Sequence, residues 1–173
     1  EAKGQKILIE AIRILINRGK HNFKVFFAGQ GNIENLNIKL DNTLKKHCIF
    51  LGQVNNMTEI RKDMDVELMC SRAEAFGRVT VEAMMSSLAV IGSASGGTKE
   101  LIKNNITGLL YEPGNAKDLA DKMQLLIDHP DKIQILAETA YPIALQCYSK
   151  DKYCENVAEY IREVYKNRNE SSE

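Results

Sequence analysis

The chain has 173 residues, 44% of them hydrophobic, which suits one α/β domain with a sizeable core and leaves little room for two. Lysine plus arginine and aspartate plus glutamate number 23 each, so the formal net charge is zero and no broad basic field exists to attract nucleic acid. No apolar run approaches the roughly 20 residues of a membrane span, and the start lacks a signal-peptide pattern, so a cytoplasmic protein without a transmembrane segment is expected.

Residues 5–18 place Ile7, Leu8, Ala11, Ile12, Leu15 and Ile16 at helical spacing, and Arg18-Gly19 is a reasonable end for that helix. Residues 24–28 (KVFFA) form a β-rich run closed by Gly29-Gln30-Gly31, and helical spacing returns over 32–46. The alternation continues with a strand at 48–51, a short helix at 58–63, a strand at 65–69, a helix at 78–87 and a strand at 89–92. After Gly96-Gly97, a short helix at 98–103 precedes a strand at 108–111, and helices at about 115–128, 130–147 and 150–167 close the chain. A crossover helix returns each strand to the same end of a sheet, so this order predicts a doubly wound, Rossmann-like parallel sheet. Ligands of such sheets bind at the carboxyl ends of the strands, which directs attention to the turns that follow them.

Several features exclude other chemistry. Cys48, Cys70, Cys147 and Cys154 contain no CxxC pair, and His21, His47 and His129 lack ligand spacing, so no metal site is expected and the thiols are expected to be reduced and mostly buried. Gly29-Gln30-Gly31 lacks the third glycine of the dinucleotide fingerprint, which sets NAD aside. Glu67 falls in the middle of a strand, where an unpaired buried charge is costly, so it requires either an exposed strand end or a buried partner. The apolar positions Tyr153, Val157, Tyr160, Ile161 and Val164 read as a core-packing helix face.

The densest signal is residues 71–82, SRAEAFGRVTVE, joining a strand to a helix. Gly77 lets the backbone approach a ligand closely, and the N–H groups of Arg78 and Val79 at the helix start suit a phosphate. Glu74 in the turn and Glu82 in the helix would repel a bare phosphate, unless each accepts hydrogen bonds from hydroxyls on either side of it. A nucleoside diphosphate sugar offers that pattern, with ribose hydroxyls at one end and hexose hydroxyls at the other. Gly96-Gly97 remains open between a plain helix-start turn and a lining of the sugar pocket.

Glu74 and Glu82, with seven residues between them including Phe76-Gly77 and with Ala83-Met84 behind, closely resemble the donor-site signature of the retaining GT-B glycosyltransferases, chiefly glycosyltransferase family 4. KGQ followed by ILIEAIRIL, then FAGQGN, IFLGQV, SGGTKELI and TGLLYEPGNAKDLA, fall in the family's order, so the resemblance covers nearly the whole chain. It implies one half of a GT-B architecture: residues 1–173 as the C-terminal nucleotide-sugar-binding domain, 150–167 as its closing helix, and an N-terminal acceptor domain before residue 1.

The same resemblance implies catalytic roles for Lys3, neutralising the leaving diphosphate with an arginine just before Glu1, and for Glu74, contacting the transferred sugar. Phe76, Gly77, Arg78 and Val79 match the loop that binds the diphosphate, Glu82 the residue that holds the ribose, and Val54 a position whose backbone reads the base. No cofactor or metal is implied, because lysine, arginine and helix N–H groups meet the developing charge. The implied function is transfer of a hexose or N-acetylhexosamine from a nucleotide-diphosphate sugar to a polysaccharide, glycolipid or small-glycoside acceptor, with the fragment inactive alone. Peripheral association of the parent enzyme with a membrane stays open at this point. The rival is a non-catalytic sugar-nucleotide-binding module; a non-hydrolysing epimerase shares the architecture but fits the spaced glutamates poorly. The family usually carries glycine and proline where this chain has Ser87 and Ala89, and often proline at Cys70.

Overall fold

A computed structural model describes residues 3–30, 40–72 and 74–170. Helix α1 (Gln5–Asn17) starts from Gly4, whose φ of 74° is left-handed, and buries Leu8, Ile9, Ala11, Ile12 and Leu15 along one face. Strand β1 (Val25–Ala28) follows, and helix α2 (Asn42–His47) leads into β2 (Cys48–Gly52). The helix expected over 32–46 does not run through: Asp41 is extended and its carboxylate accepts from the N–H groups of Thr43 and Leu44, each at 2.9 Å, so a new helix is capped there. Residues 32–39 and Gly31 lie outside the described residues.

Helix α3 (Met57–Arg61), strand β3 (Val66–Met69), helix α4 (Arg78–Met85) and strand β4 (Ala89–Ser93) come next. Helix α5 (Gly96–Leu101) begins on the glycine pair itself, two residues before the expected start, and β5 (Leu109–Tyr111) follows. The chain closes with α6 (Ala116–Asp128), α7 (Pro130–Tyr148) and α8 (Lys150–Glu170).

Every described ladder is parallel, as the strand–helix alternation requires. Among the described residues the hydrogen bonding falls into two ladders, β1-β2 and β3-β4-β5. Strand β4 is buried along its whole length, which suits its continuous apolar sequence. Its side chains alternate between two cores: Ala89 and Ile91 join α1 and α6 on one face, and Val90 joins α4 and α7 on the other. Leu109 and Tyr111 of β5 face the first core and Leu110 the second, so helices cover both faces of the sheet, the doubly wound arrangement.

Two expectations need correction. Cys48 and Cys70 are buried and all four cysteines are free, but Cys147 and Cys154 are exposed, because both lie on outward faces of the terminal helices. Val157, Tyr160 and Ile161 of α8 are likewise exposed rather than packed into the core, while the side chains of Tyr153 and Val164, expected on the same face, lie outside those described.

Ser87 has φ of 58°, just past the end of α4, where left-handed backbone favours glycine. That conformation accounts for the glycine usual at this place in the family that the sequence resembles. Ser87→Gly is expected to stabilise the fold by about 0.5–1 kcal/mol, measured by chemical denaturation, since the strain of a side chain at positive φ outweighs the added freedom of the unfolded chain.

Candidate functional site

The motif residues collect at the carboxyl ends of the strands. Gly29 follows β1 and Gly52 ends β2, the Gly29 N–H donating to the Gly52 carbonyl at 2.8 Å, and half-buried Val54 lies two residues on. After β3 the chain runs through Ser71 and Glu74 to Gly77, which caps α4 with a φ of 85°. The first N–H groups of α4, on Arg78 and Val79, have no acceptor one turn earlier in the helix, so this end is suited to an anion. Phe76, Arg78 and Val79 are exposed and Gly77 is buried. A side chain at Gly77 would meet Leu101 at 3.0 Å, so the loop lies closely over α5.

Gly96 and Gly97 support this loop from beneath. The Gly97 N–H donates to the Glu74 carbonyl at 2.8 Å. A Cβ on Gly96 would fall 2.3 Å from the Glu74 carbonyl oxygen, and one on Gly97 would fall 2.3 Å from that of Phe76. The role left open in the sequence is therefore at least this one: the pair lets α5 approach the main chain that carries Glu74 and Phe76. From the other side Tyr148, at the end of α7, meets Phe76 edge-on with ring centroids 6.2 Å apart.

Lys3 is brought to this loop from 71 residues away, its Nζ donating to Glu74 Oε1 at 2.9 Å. The contact depends on Gly4, which packs against the Cys70 carbonyl so closely that a Cβ there would lie 2.0 Å from the oxygen. The hydrogen bond from Lys3 holds the Glu74 carboxyl below the ordinary carboxylate range against the opposing effect of burial, with a smaller contribution from Ser71. A carboxyl depressed in the folded state adds stability above the unfolded pKa, and that stability is lost as pH falls through the folded value. Lys3→Ala is therefore expected to shift the Glu74 titration upward, which a carboxyl-detected NMR titration would read. Below the loop, burial pushes the Cys70 thiol up to about 11 and raises the hydrogen-bonded Tyr111 hydroxyl as well, so both stay neutral parts of the core.

Glu82 projects from α4, 55% exposed, and has a partner that sequence reasoning missed. Arg61, at the end of α3, is only 5% exposed; its Nη1 donates to Glu82 Oε2 at 3.2 Å and its Nε to Glu67 Oε2 at 3.1 Å. This supplies the buried partner that Glu67 requires in the middle of β3. The one available sequence signal was Glu67 itself, an acid out of place in a strand.

The structure thus gathers Lys3, Glu74 and the start of α4 in one place, with Glu82 following on the same helix. Chemically, this is a cation and helix N–H groups for phosphate, set beside carboxylates able to accept from hydroxyls.

Residues 1–142 match the family "Glycosyl transferases group 1". An uncharacterized glycosyltransferase of Methanocaldococcus jannaschii is 31% identical over 170 residues, covering 95% of this chain and 42% of the relative. A crystal structure of Anabaena HepE in complex with UDP superposes with a TM-score of 0.82 at 26% identity, covering 94% of this chain and 46% of that one. The C-terminal domain of a glycosyl transferase group 1 family protein, LpcC, from Francisella tularensis superposes with a TM-score of 0.72 at 26% identity, covering 86% of this chain and 81% of that one. The chain spans less than half the length of the first two, and its fold is the Rossmann-like half of a GT-B glycosyltransferase. With that match over residues 1–142 and the shared architecture, the chain belongs to the glycosyl transferases group 1 family.

Proposed function

We propose that the chain is the C-terminal, donor-binding half of a retaining glycosyltransferase of family 4. It moves a hexose or N-acetylhexosamine from a nucleotide-diphosphate sugar to a saccharide or lipid-linked acceptor held by an N-terminal domain. The observation that carries this reading is the meeting of Lys3 and Glu74 at 2.9 Å beside the glycine-capped start of α4. A donor would divide that pair's work: the diphosphate takes the ammonium and the helix N–H groups, and the sugar hydroxyls take the carboxylate. Glu82 then accepts from the ribose, and the main chain at Val54 reads the base.

As the sugar–phosphate bond breaks, charge grows on the leaving diphosphate, where a fixed ammonium and helix N–H groups stabilise it most. The step calls on no metal, and a chelator is expected to leave donor binding unchanged. Support for the nucleotide sugar as ligand comes from the relatives: HepE structures have been determined with UDP and with UDP-glucose.

Calorimetry with uridine, guanosine and adenosine diphosphates and their sugar derivatives tests the assignment. Glu82→Ala is expected to weaken every nucleotide that binds by about 10- to 100-fold, the worth of hydrogen bonds to a charged acceptor. Glu74→Ala is expected to weaken the intact sugar donor by a similar factor while sparing the free diphosphate. Equal binding by the wild type and both variants would remove the site assignment. Transfer or donor hydrolysis by a full-length parent separates an enzyme from a sensor, which would show neither.

A further inference from the structure

The donor site as proposed makes no use of Arg61, yet this is a buried cation held between two acids. Glu67 lies on β3, 18% exposed, and Glu82 lies on α4, so one guanidinium ties a strand to a helix. Burying an arginine in this way is a poor route to stability, because desolvation offsets most of the Coulombic gain and apolar replacements often serve as well. Its geometry, however, is suited to orientation. The guanidinium is a rigid planar fork, and Glu67 fixes one of its nitrogens while another holds a single oxygen of Glu82.

We propose that Arg61, anchored by Glu67, is a positioning residue for the ribose end of the donor site. It holds Glu82 Oε2, and Oε1 is left to accept from a ribose hydroxyl. An untethered glutamate on a helix surface samples several rotamers and must be ordered when ligand binds; the tether removes that cost beforehand. Arg61 thereby sets how strongly the site distinguishes a ribonucleotide from its deoxy counterpart. The inference rests on the assignment of Glu82 to the ribose.

The test measures affinities of the 173-residue chain for UDP, GDP and ADP by calorimetry. The tightest of the three is then compared with its 2′-deoxy and 3′-deoxy forms. The wild type is expected to prefer the ribose form by about tenfold or more, and Glu82→Ala to bring that ratio close to one. Two variants address Arg61. Arg61→Lys keeps a cation against Glu67 but cannot fork to both acids, and Arg61→Met combined with Glu67→Leu leaves no buried charge unpaired. Both are expected to lower the ratio at least threefold, and Arg61→Lys to do so with a melting temperature near that of the wild type. A staple with a merely structural role would change stability and leave the ratio alone. A ratio lost in Glu82→Ala but retained in both Arg61 variants would overturn this proposal alone. No binding to the wild type, or an unchanged ratio in Glu82→Ala, would overturn the donor-site reading and this proposal together.

Discussion

Gly4→Ala is expected to lower the melting temperature by roughly 5–15 °C and to separate Lys3 from Glu74. Two costs combine. The left-handed backbone at Gly4, with φ of 74°, costs a residue with a side chain about 1–2 kcal/mol. The added Cβ would lie 2.0 Å from the Cys70 carbonyl oxygen and 2.7 Å from its carbon, so either α1 or the end of β3 must retreat. Overpacking of that kind typically costs about 1–3 kcal/mol. Together these give about 2–5 kcal/mol, and each kcal/mol moves the midpoint by about 2–4 °C in a domain of this size. Thermal denaturation checks the first effect. The second appears as a rise of the Glu74 titration, since the ammonium that depresses it has moved away. A melting temperature within a degree of the wild type would show that the contact is soft.

Gly97→Ala is expected to reduce nucleoside diphosphate affinity by about tenfold or more, with a smaller effect on the fold. Gly97 is helical and its φ lies outside the left-handed region, so alanine suits its backbone and gains up to about 1 kcal/mol of helix propensity. The clash is instead with the chain above it. The Cβ would stand 2.3 Å from the Phe76 carbonyl oxygen and 2.5 Å from its carbon, and the 2.8 Å bond from the Gly97 N–H to Glu74 would be strained. Main chain cannot turn aside as a flexible side chain does, so residues 74–77 must lift from α5. The amides at the start of α4 and the Glu74 carboxylate then lose their alignment, and a tenfold loss corresponds to about 1.4 kcal/mol. Calorimetry with UDP, GDP and ADP measures it, and undiminished affinity would show that the loop does not grip the diphosphate.

Much of this was legible in the sequence because periodicity reports burial. Alternating strands and helices gave the parallel doubly wound sheet, and the spacing of Glu74, Gly77 and Glu82 around a strand-to-helix turn marked the loop. What escaped depends on distant parts of the chain meeting. Arg61 looks like an ordinary surface cation at the end of a short helix, and only the fold brings Glu67 and Glu82 to it. Gly96 and Gly97 read as a turn, whereas their lack of side chains serves a loop some twenty residues earlier. Asp41 competed with helical periodicity and won locally, since its carboxylate caps two N–H groups at once. The exposed face of α8 shows the limit of pattern alone: apolar spacing marks a face without saying what covers it.

The two cores on opposite sides of β4 divide the site mechanically. Lys3 leads into α1, whose footing is Ile12, Leu15 and the α6 side chains Leu119 and Met123; Glu82 stands on α4, footed on Met84, Ala140 and Ala144. The cation and the second acid therefore answer to separate foundations. Hollowing the first, as by Leu15→Ala, should loosen the hold of the lysine on the diphosphate while the ribose contact at Glu82 stays. Hollowing the second, as by Met84→Ala, should do the reverse, letting the two halves of donor recognition be tuned independently by substitutions that never touch the ligand.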